Sequence, residues 1–229
     1  MKNRLHSSVS LFIALLFLSP LLSFNHSGSP EEWQLRRDNK GVKVYSRKSA
    51  VSSIDELKVE LTVRGSLSAV TAVLMDAANY PNWVYGCSES RIIRRVSPTE
   101  QYQYQLMSAP FPFSDRDVIN HFTVRQDAVT GIVYTASIAT PDILPESKDA
   151  VRLPFFDGRY ELKPVGADQV ALTYTLSLDP GGSLPDWLIN MTFVTGPYES
   201  LSKLQREVDR PQYKNLRLPF IQEWKTSNE

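Results

Sequence analysis

Few side chains in this sequence could perform chemistry, and none of them stands in a catalytic pattern. His121 could act as a general base, yet no serine or cysteine nucleophile motif accompanies it. Cys87 follows a glycine and is interpreted as a plain free thiol. The adjacent charges Arg116 and Asp117 favour a structural ion pair at a strand start over a catalytic pair. We therefore expect no catalytic residue, and we expect that the protein is not an enzyme.

The N-terminal segment has the pattern of an export signal. It contains Lys2 and Arg4, no acidic residue, and an apolar run from Val9 to Leu22. This pattern is typical of a cleaved secretory signal peptide, because the run is shorter than the ~20 residues of a membrane-spanning helix. We expect residues 1–24 to be removed and the protein to be periplasmic or secreted. The two histidines near the N-terminus lie in or beside this segment, so we expect no His/Cys metal cluster, no disulfide framework and no cofactor.

The charge balance excludes one large class of function. The chain has 229 residues, with 25 Lys and Arg against 25 Asp and Glu, and losing the two basic residues of the signal segment leaves a charge near −2. Such a chain lacks the basic surplus with which nucleic-acid-binding proteins neutralise phosphates. Its 42% apolar content is typical of a folded globular protein. We expect a monomer with no nucleic-acid partner.

Strand patterns dominate the middle of the chain. Residues 57–64 alternate between apolar and polar, which predicts a half-buried strand, and Ser66 can cap a short amphipathic helix over residues 67–77. Further strands are predicted over residues 42–45, 88–96, 100–108, 117–126, 131–139, 150–163 and 168–179. Turn signals separate several strands at hairpin distance, which predicts one antiparallel sheet. We place a single domain at residues 31–210 and a C-terminal tail at 211–229.

Helices are predicted at both ends of the domain. A possible first helix opens at Pro30 to Trp33 and ends at Gly41. After Ser183, a candidate N-cap, apolar residues recur at three- and four-residue steps as far as Val208. This spacing predicts a helix of about 26 residues and about 39 Å. Gly196-Pro197 lies in its middle and should kink it.

Several motifs in order resemble the StAR-related lipid-transfer (START) domain family. They are Trp33, the run Gly41 to Arg47, Trp83, Arg116-Asp117-Val118, and the run Asp179 to Asn190. The resemblance covers about residues 31–210. It implies an α+β helix-grip fold, in which a curved antiparallel sheet wraps around the long C-terminal helix. It also implies an internal tunnel for one lipid or sterol-like molecule, with the loop 141–148 and that helix acting as a lid.

The resemblance assigns the ligand-binding residues. The helix supplies an apolar stripe, the loop before residue 150 supplies one residue, and two strands supply the rest: Trp187, Met191, Val194, Thr195, Tyr198, Leu144, Gln105, Phe122 and Val124. Gln105 and Phe122 stand where sterol-binding relatives carry a buried acid and an arginine, so that charged pair is absent here. Strand alternation alone would instead turn Gln105 outward and its neighbours Tyr102, Tyr104 and Leu106 inward.

These observations lead to one main functional hypothesis and two alternatives. The main hypothesis is an exported protein that binds or transfers a lipid or other hydrophobic small molecule, with transient membrane contact. Ile143 and Leu144 could close over the ligand or touch a membrane, or they could simply pack on the core. The first alternative is a helix-grip enzyme of the cyclase or aromatase kind, which needs acids and bases in the tunnel. The second is a non-catalytic interaction module with a filled core.

Overall fold

The computed structural model describes residues 32–166 and 168–223. The predicted signal peptide, residues 1–24, lies outside the described residues. Of Asp186, Trp187, Asn190 and Met191 only the backbone is described, so the predicted roles of the Trp187 and Met191 side chains also lie outside the described part. None of the described helices is both long enough and apolar enough to cross a membrane.

Ten strands and four α-helices lie in the described part of the chain. The strands are β1 (Gln34–Asn39), β2 (Val42–Arg47), β3 (Glu56–Arg64), β4 (Cys87–Ser97), β5 (Glu100–Met107), β6 (Asp115–Gln126), β7 (Val133–Ala139), β8 (Ala150–Arg152), β9 (Phe155–Gly166) and β10 (Gln169–Asp179). The helices are α1 (Leu67–Met75), α2 (Asp186–Leu201), α3 (Leu204–Val208) and α4 (Pro211–Lys214). Short 3-10 helices cover Ala77–Asn82 and Pro141–Ile143.

The strands form one sheet in the order β1-β2-β3-β10-β9-β7-β6-β5-β4. These neighbours pair antiparallel, whereas β8 runs parallel to the start of β6. The prediction of one continuous strand over residues 150–163 was wrong, because the chain leaves the sheet between β8 and β9 at Leu153-Pro154, where proline offers no N–H. Helix α2 packs against β2 and β3. The arrangement confirms the predicted α+β helix-grip fold.

The alternation in β3 and the capping signal before α1 are confirmed. Leu57, Val59 and Val63 are fully buried on one face of β3, as a period of two requires. Ser66 caps α1, since its Oγ accepts a hydrogen bond from the N–H of Ala69 at 3.1 Å. Every residue of α1 from Leu67 to Leu74 is buried, so this helix is covered by the domain on all sides and has no exposed polar face.

The predicted first helix was wrong, and the segment is a β-hairpin. Strands β1 and β2 pair antiparallel through a two-residue turn at Lys40 and Gly41. Both turn residues have positive φ, 50° and 78°, which is the backbone that matches the twist of a two-stranded ribbon. Gly41, interpreted as the end of a helix, supplies the left-handed residue of this turn. Trp33 lies just before β1, with the Arg47 guanidinium 4.4 Å from its ring centre.

The long C-terminal helix is present but divided. Its predicted proline, Pro197, lies inside α2, yet the division comes later, between Leu201 and Leu204. There the N–H of Lys203 bonds to the carbonyl of Ser200 at 3.0 Å, a three-residue turn that tightens the backbone. Helix α3 is then anchored through Glu207, which accepts a hydrogen bond from Asn79 at 2.9 Å.

The segment after residue 210, named a tail from the sequence, packs on the domain as far as Glu223. Tyr213 and Ile221 are buried in the core. The carboxylate of Glu223 accepts hydrogen bonds from the N–H groups of Leu67 and Ser68 at 3.0 and 3.1 Å. A negative charge at a helix N-terminus is stabilising, so this segment helps to hold α1 in place.

Candidate functional site

A cavity of about 310 Å³ lies between α2 and the inner face of the sheet. Its lining is mostly apolar and comes from both sides of the fold: Ile54, Trp83, Val84, Met107, Val118, Phe122, Leu153, Phe156, Leu176, Leu178, Leu184, Leu188, Ile189, Phe193 and Leu201. The remaining lining residues are Gly86, Gln105, Ser108, Ala109, Pro110, Arg116, Ser137, Gly158, Pro180, Thr192, Gly196, Pro197, Ser200, and Tyr80, Tyr85, Tyr160 and Tyr174. Such a space suits a hydrophobic small molecule.

Gln105 and Phe122 both line this cavity, in the register that the resemblance implied. The alternation argument for β5 was wrong, because its inner face carries amides: Gln101, Gln103 and Gln105 are buried. The tyrosines between them lie on the outer face, where Arg94 stacks on Tyr102 with 4.6 Å between the guanidinium carbon and the ring centre. Cation–π contacts of this kind stabilise an aromatic ring at the surface.

The side of α2 that borders the cavity differs from the predicted stripe. Residues 188, 192 and 196 share the lining face at helical spacing, together with 189, 193, 197 and 200. Val194, Thr195 and Tyr198 are not among the lining residues. Val194 packs on the core, and Tyr198 is buried beneath Arg37, whose guanidinium carbon lies 3.4 Å from the ring centre. Val194 and Tyr198 thus anchor the helix to the domain on a side that does not line the cavity.

Two further predicted residues lie away from the cavity. Val124 shares a face of β6 with Phe122 but is buried in the core, one step beyond the lining. Leu144 and the rest of the loop 141–148 do not line the cavity. That loop is tied down by Arg152, which donates hydrogen bonds to the carbonyls of Pro141, Leu144 and Pro145 at 2.6, 3.2 and 3.1 Å. The loop of the implied lid is therefore not part of the cavity wall, whereas the helix of that lid, α2, lines the cavity.

Arg152, and not Arg116, is the ion-pair partner of Asp117. Its guanidinium forms a bidentate ion pair with Asp117, with N–O distances of 2.8 and 2.9 Å, and both side chains are buried. The hydrogen bonds that Arg152 donates to Asp117 are the main cause that raises the pKa of Arg152. The predicted structural pair of Arg116 with Asp117 was wrong, because neighbouring residues of a strand point to opposite faces. Asp117 faces β8, and Arg116 faces the cavity.

The deepest part of the sheet interior is polar. Gln103 and Asn120 stand opposite each other on β5 and β6, and neither amide has a hydrogen-bond partner among the described residues. Trp83 Nε1 is likewise buried without a partner in the described chain. Polar groups left unpaired in a low-dielectric interior are costly, and of these three residues Trp83 is the one that lines the cavity.

Two tyrosines place hydroxyl groups in the cavity wall. The rings of Tyr160 and Tyr174 stack with their centres 4.3 Å apart on adjacent strands. Burial raises the pKa of both phenols. Both hydroxyls therefore stay protonated at neutral pH and can donate a hydrogen bond to a ligand.

The residues with the best-known catalytic chemistry lie elsewhere. His121 is on the outer face of β6, where Nε2 lies 2.7 Å from Glu100 Oε1 and the ring stacks on Tyr102. Cys87 is in the core, and burial raises the pKa of its thiol to about 12, so it is not a thiolate nucleophile. Over the residues that the structure describes, no cluster of three or more His, Cys, Asp or Glu side chains could hold a metal ion.

The rim of the cavity holds features that the sequence did not single out. Ser108 to Pro110 line the cavity, and the next residue, Phe111, is 96% exposed. Ser200 of α2 links the helix to the neighbouring segment at Tyr85, since its Oγ accepts a hydrogen bond from the Tyr85 N–H at 2.9 Å. In the sequence, the exposure of Phe111 is indicated by the prolines on either side of it.

Comparison with known proteins agrees with this architecture. A profile of the START domain matches residues 25–211. Mouse phosphatidylcholine transfer protein is 26% identical over 171 residues, covering 72% of this chain and 78% of that protein. An uncharacterised protein of Pseudomonas aeruginosa is 28% identical over 180 residues, covering 79% of this chain and 88% of that protein.

A solved structure extends the agreement to three dimensions. The STAR-related lipid transfer protein from Xanthomonas axonopodis (fragment 25-204) superposes with a TM-score of 0.72 at 36% identity, covering 79% of this chain and 100% of that chain. The family match spans most of the chain, and the sheet and the C-terminal helix have the family's arrangement. This protein is therefore a member of the START domain family.

Proposed function

We propose that this protein binds one lipid or other hydrophobic small molecule in the cavity beneath α2 and transfers it between membranes. The observation that carries the proposal is the apolar cavity of about 310 Å³ in a START domain. Two relatives reported above are named as transfer proteins, one for phosphatidylcholine and one for lipid. An open cavity of this size does not fit the alternative of an interaction module with a filled core.

Burial of apolar surface supplies the affinity. A chain of about ten methylene groups gains about 8 kcal/mol on leaving water, which corresponds to micromolar binding before the costs of association. The described lining favours a carrier over an enzyme, because none of its side chains is an Asp, Glu, His or Cys. The cyclase-like alternative requires such groups to move protons.

The exposed Phe111 supports membrane contact as part of the transfer cycle. Phe111 is 96% exposed, and moving its aromatic side chain from water into a bilayer interface is favourable. It directly follows the lining residues Ser108 to Pro110. We place the exchange route between the Ser108–Pro110 segment and the start of α2. We also propose that the protein acts as a monomer after export, on the strength of the signal-like composition of residues 1–24.

A vesicle assay tests the proposal. Donor vesicles carry a self-quenched fluorescent phospholipid or fluorescent fatty acid, acceptor vesicles carry none, and the purified protein is added at a catalytic ratio. We expect transfer at a rate that rises in proportion to protein concentration. A rate equal to spontaneous transfer for both probes, with the protein folded by circular dichroism, would contradict the proposal.

A further inference from the structure

We propose that Arg116 binds the acidic head of the cargo, so that the natural ligand is a single-chain amphiphile with a carboxylate or phosphate group. This inference rests on the proposed function and goes beyond it, since the proposed function requires only an apolar ligand. Arg116 stands out because it is the only charged side chain among the described residues that line the cavity.

In the described chain the Arg116 guanidinium has no carboxylate in salt-bridge contact, and the charge of Asp115 acts on it only from a longer distance. The residue is 9% exposed, and its Nε has no hydrogen-bond partner in the described chain. Asp117 is committed to Arg152, and Asp115 accepts a hydrogen bond from the N–H of Ala109 at 2.9 Å. Within the described residues, Arg116 forms no ion pair, and its one hydrogen-bond acceptor is the carbonyl of Ser114. Keeping a buried cation without a counter-ion is costly, which favours a functional reason for it.

The surroundings of Arg116 favour an anion. The turn before α2 covers it, with Nη2 3.9 Å from the place where a Cβ on Gly182 would stand. Helix α2 has 16 residues and starts shortly after this turn, and its N-cap residue, Pro185, makes no side-chain capping hydrogen bond. The N-terminus of a helix carries a partial positive charge, so a second positive field acts on the same end of the cavity. A guanidinium fork matches the two oxygens of a carboxylate or phosphate.

The cavity's size and polarity indicate how the rest of the ligand lies. At about 310 Å³ it is near the lower end of the ~300–1,000 Å³ range of ligand sites, which suits one alkyl chain better than two. The apolar wall formed by Phe122, Phe156 and Leu176 lies along the sheet interior beyond Arg116. The acidic head would then contact Arg116 near the start of α2, and the chain would extend between α2 and the sheet.

Calorimetric titration of the full folded chain with three probes of equal chain length tests the inference. The probes are dodecanoate and dodecyl phosphate, each below its micelle concentration at neutral pH, and dodecanol below its solubility limit. We expect the better acid to bind roughly 10- to 100-fold more tightly than the alcohol, as for hydrogen bonds to a charged group. Whichever acid binds more tightly identifies the head group as carboxylate or phosphate.

Variants separate the role of the charge from that of the fold. Arg116→Gln should abolish the preference for acids and leave dodecanol binding unchanged, while Arg116→Lys should keep part of the preference. Arg64→Gln, at an exposed arginine at the end of β3, is the matched control and should keep the whole preference. Equal binding of acids and alcohol by the wild type, or an unchanged preference in Arg116→Gln, overturns the inference. Failure of the wild type to bind any probe overturns the proposed function itself.

Discussion

Enlarging a small residue on the cavity face of α2 should block ligand binding. The same change three residues later, at a position that does not line the cavity, should not. Thr192 lines the cavity, and its Oγ1 donates a hydrogen bond to the carbonyl of Leu188 in its own helix at 2.9 Å. Thr195 lies on the same helix, is half-buried, and does not line the cavity. Thr192→Phe and Thr195→Phe are therefore matched in chemistry and differ in the direction of the new ring.

The size of the effect follows from the apolar surface that the ring displaces. A phenyl ring takes the space of roughly four methylene groups of the ligand, which costs about 3 kcal/mol of binding at ~0.8 kcal/mol each, or two to three powers of ten in affinity. In a cavity of about 310 Å³ the ligand has little room to move aside. Thr192→Phe should also be at least as stable as the wild type when ligand-free, because it fills empty space.

Titration of a fluorescent fatty acid into each variant, with unfolding midpoints measured in parallel, provides the readout. We expect loss of binding in Thr192→Phe and wild-type binding in Thr195→Phe. A folded Thr192→Phe variant that binds normally would refute the placement of the ligand. Loss of binding in Thr195→Phe alone would instead support the helix face predicted from the sequence.

Three further predictions concern the rim, the polar interior and the anchor of α3. In a vesicle sedimentation assay, Phe111→Ser should weaken vesicle binding about 10- to 100-fold, the value of burying one aromatic side chain, and should leave the affinity for a soluble ligand unchanged. Val129→Ser, at another exposed residue, should change neither vesicle binding nor ligand affinity. Gln103→Leu should raise the free energy of unfolding by about 1–2 kcal/mol, because its amide has no partner in the described chain. Gln101→Leu should lower the free energy of unfolding, because that amide donates to the carbonyl of Met75 at 2.6 Å. Urea titration measures both changes, and two changes of the same sign would contradict this explanation. Burial raises the pKa of Glu207, but hydrogen bonds from the amide and guanidinium that contact it outweigh this and lower the pKa, so its stabilising effect is complete above pH 4.5, the ordinary value, and is lost as the pH falls through the lowered pKa. Glu207→Gln should cost about 2 kcal/mol at pH 7 and flatten this acid loss, and an unchanged pH profile of unfolding would refute it.

The elements that could be predicted are those whose pattern is local. The alternation of β3 fixed its inner face because polar side chains on the other face meet solvent, and Ser66 marked the start of α1 because its hydroxyl caps an N–H within the same turn. The β1–β2 hairpin was missed because its turn residues, Lys40 and Gly41, resemble a helix end as closely as a left-handed turn.

The site was harder to predict because its residues break the usual rule that apolar side chains point inward. Gln103 and Gln105 face the interior while Tyr102 lies outside against Arg94, so hydrophobic alternation gave the wrong register for β5. Arg116 was assigned to its sequence neighbour, although the partner of Asp117 comes from β8, 35 residues later. Contacts of this kind depend on which strands lie together, and only the folded sheet reveals them.

Native mass spectrometry of the wild-type protein, purified from its own host without detergent, shows whether the cavity holds a ligand. We expect one hydrophobic molecule bound per chain, released by organic extraction and regained when the protein is mixed with lipid vesicles. A chain that carries no such molecule as purified and gains none from vesicles, while remaining folded, would contradict the claim that the cavity is a ligand site.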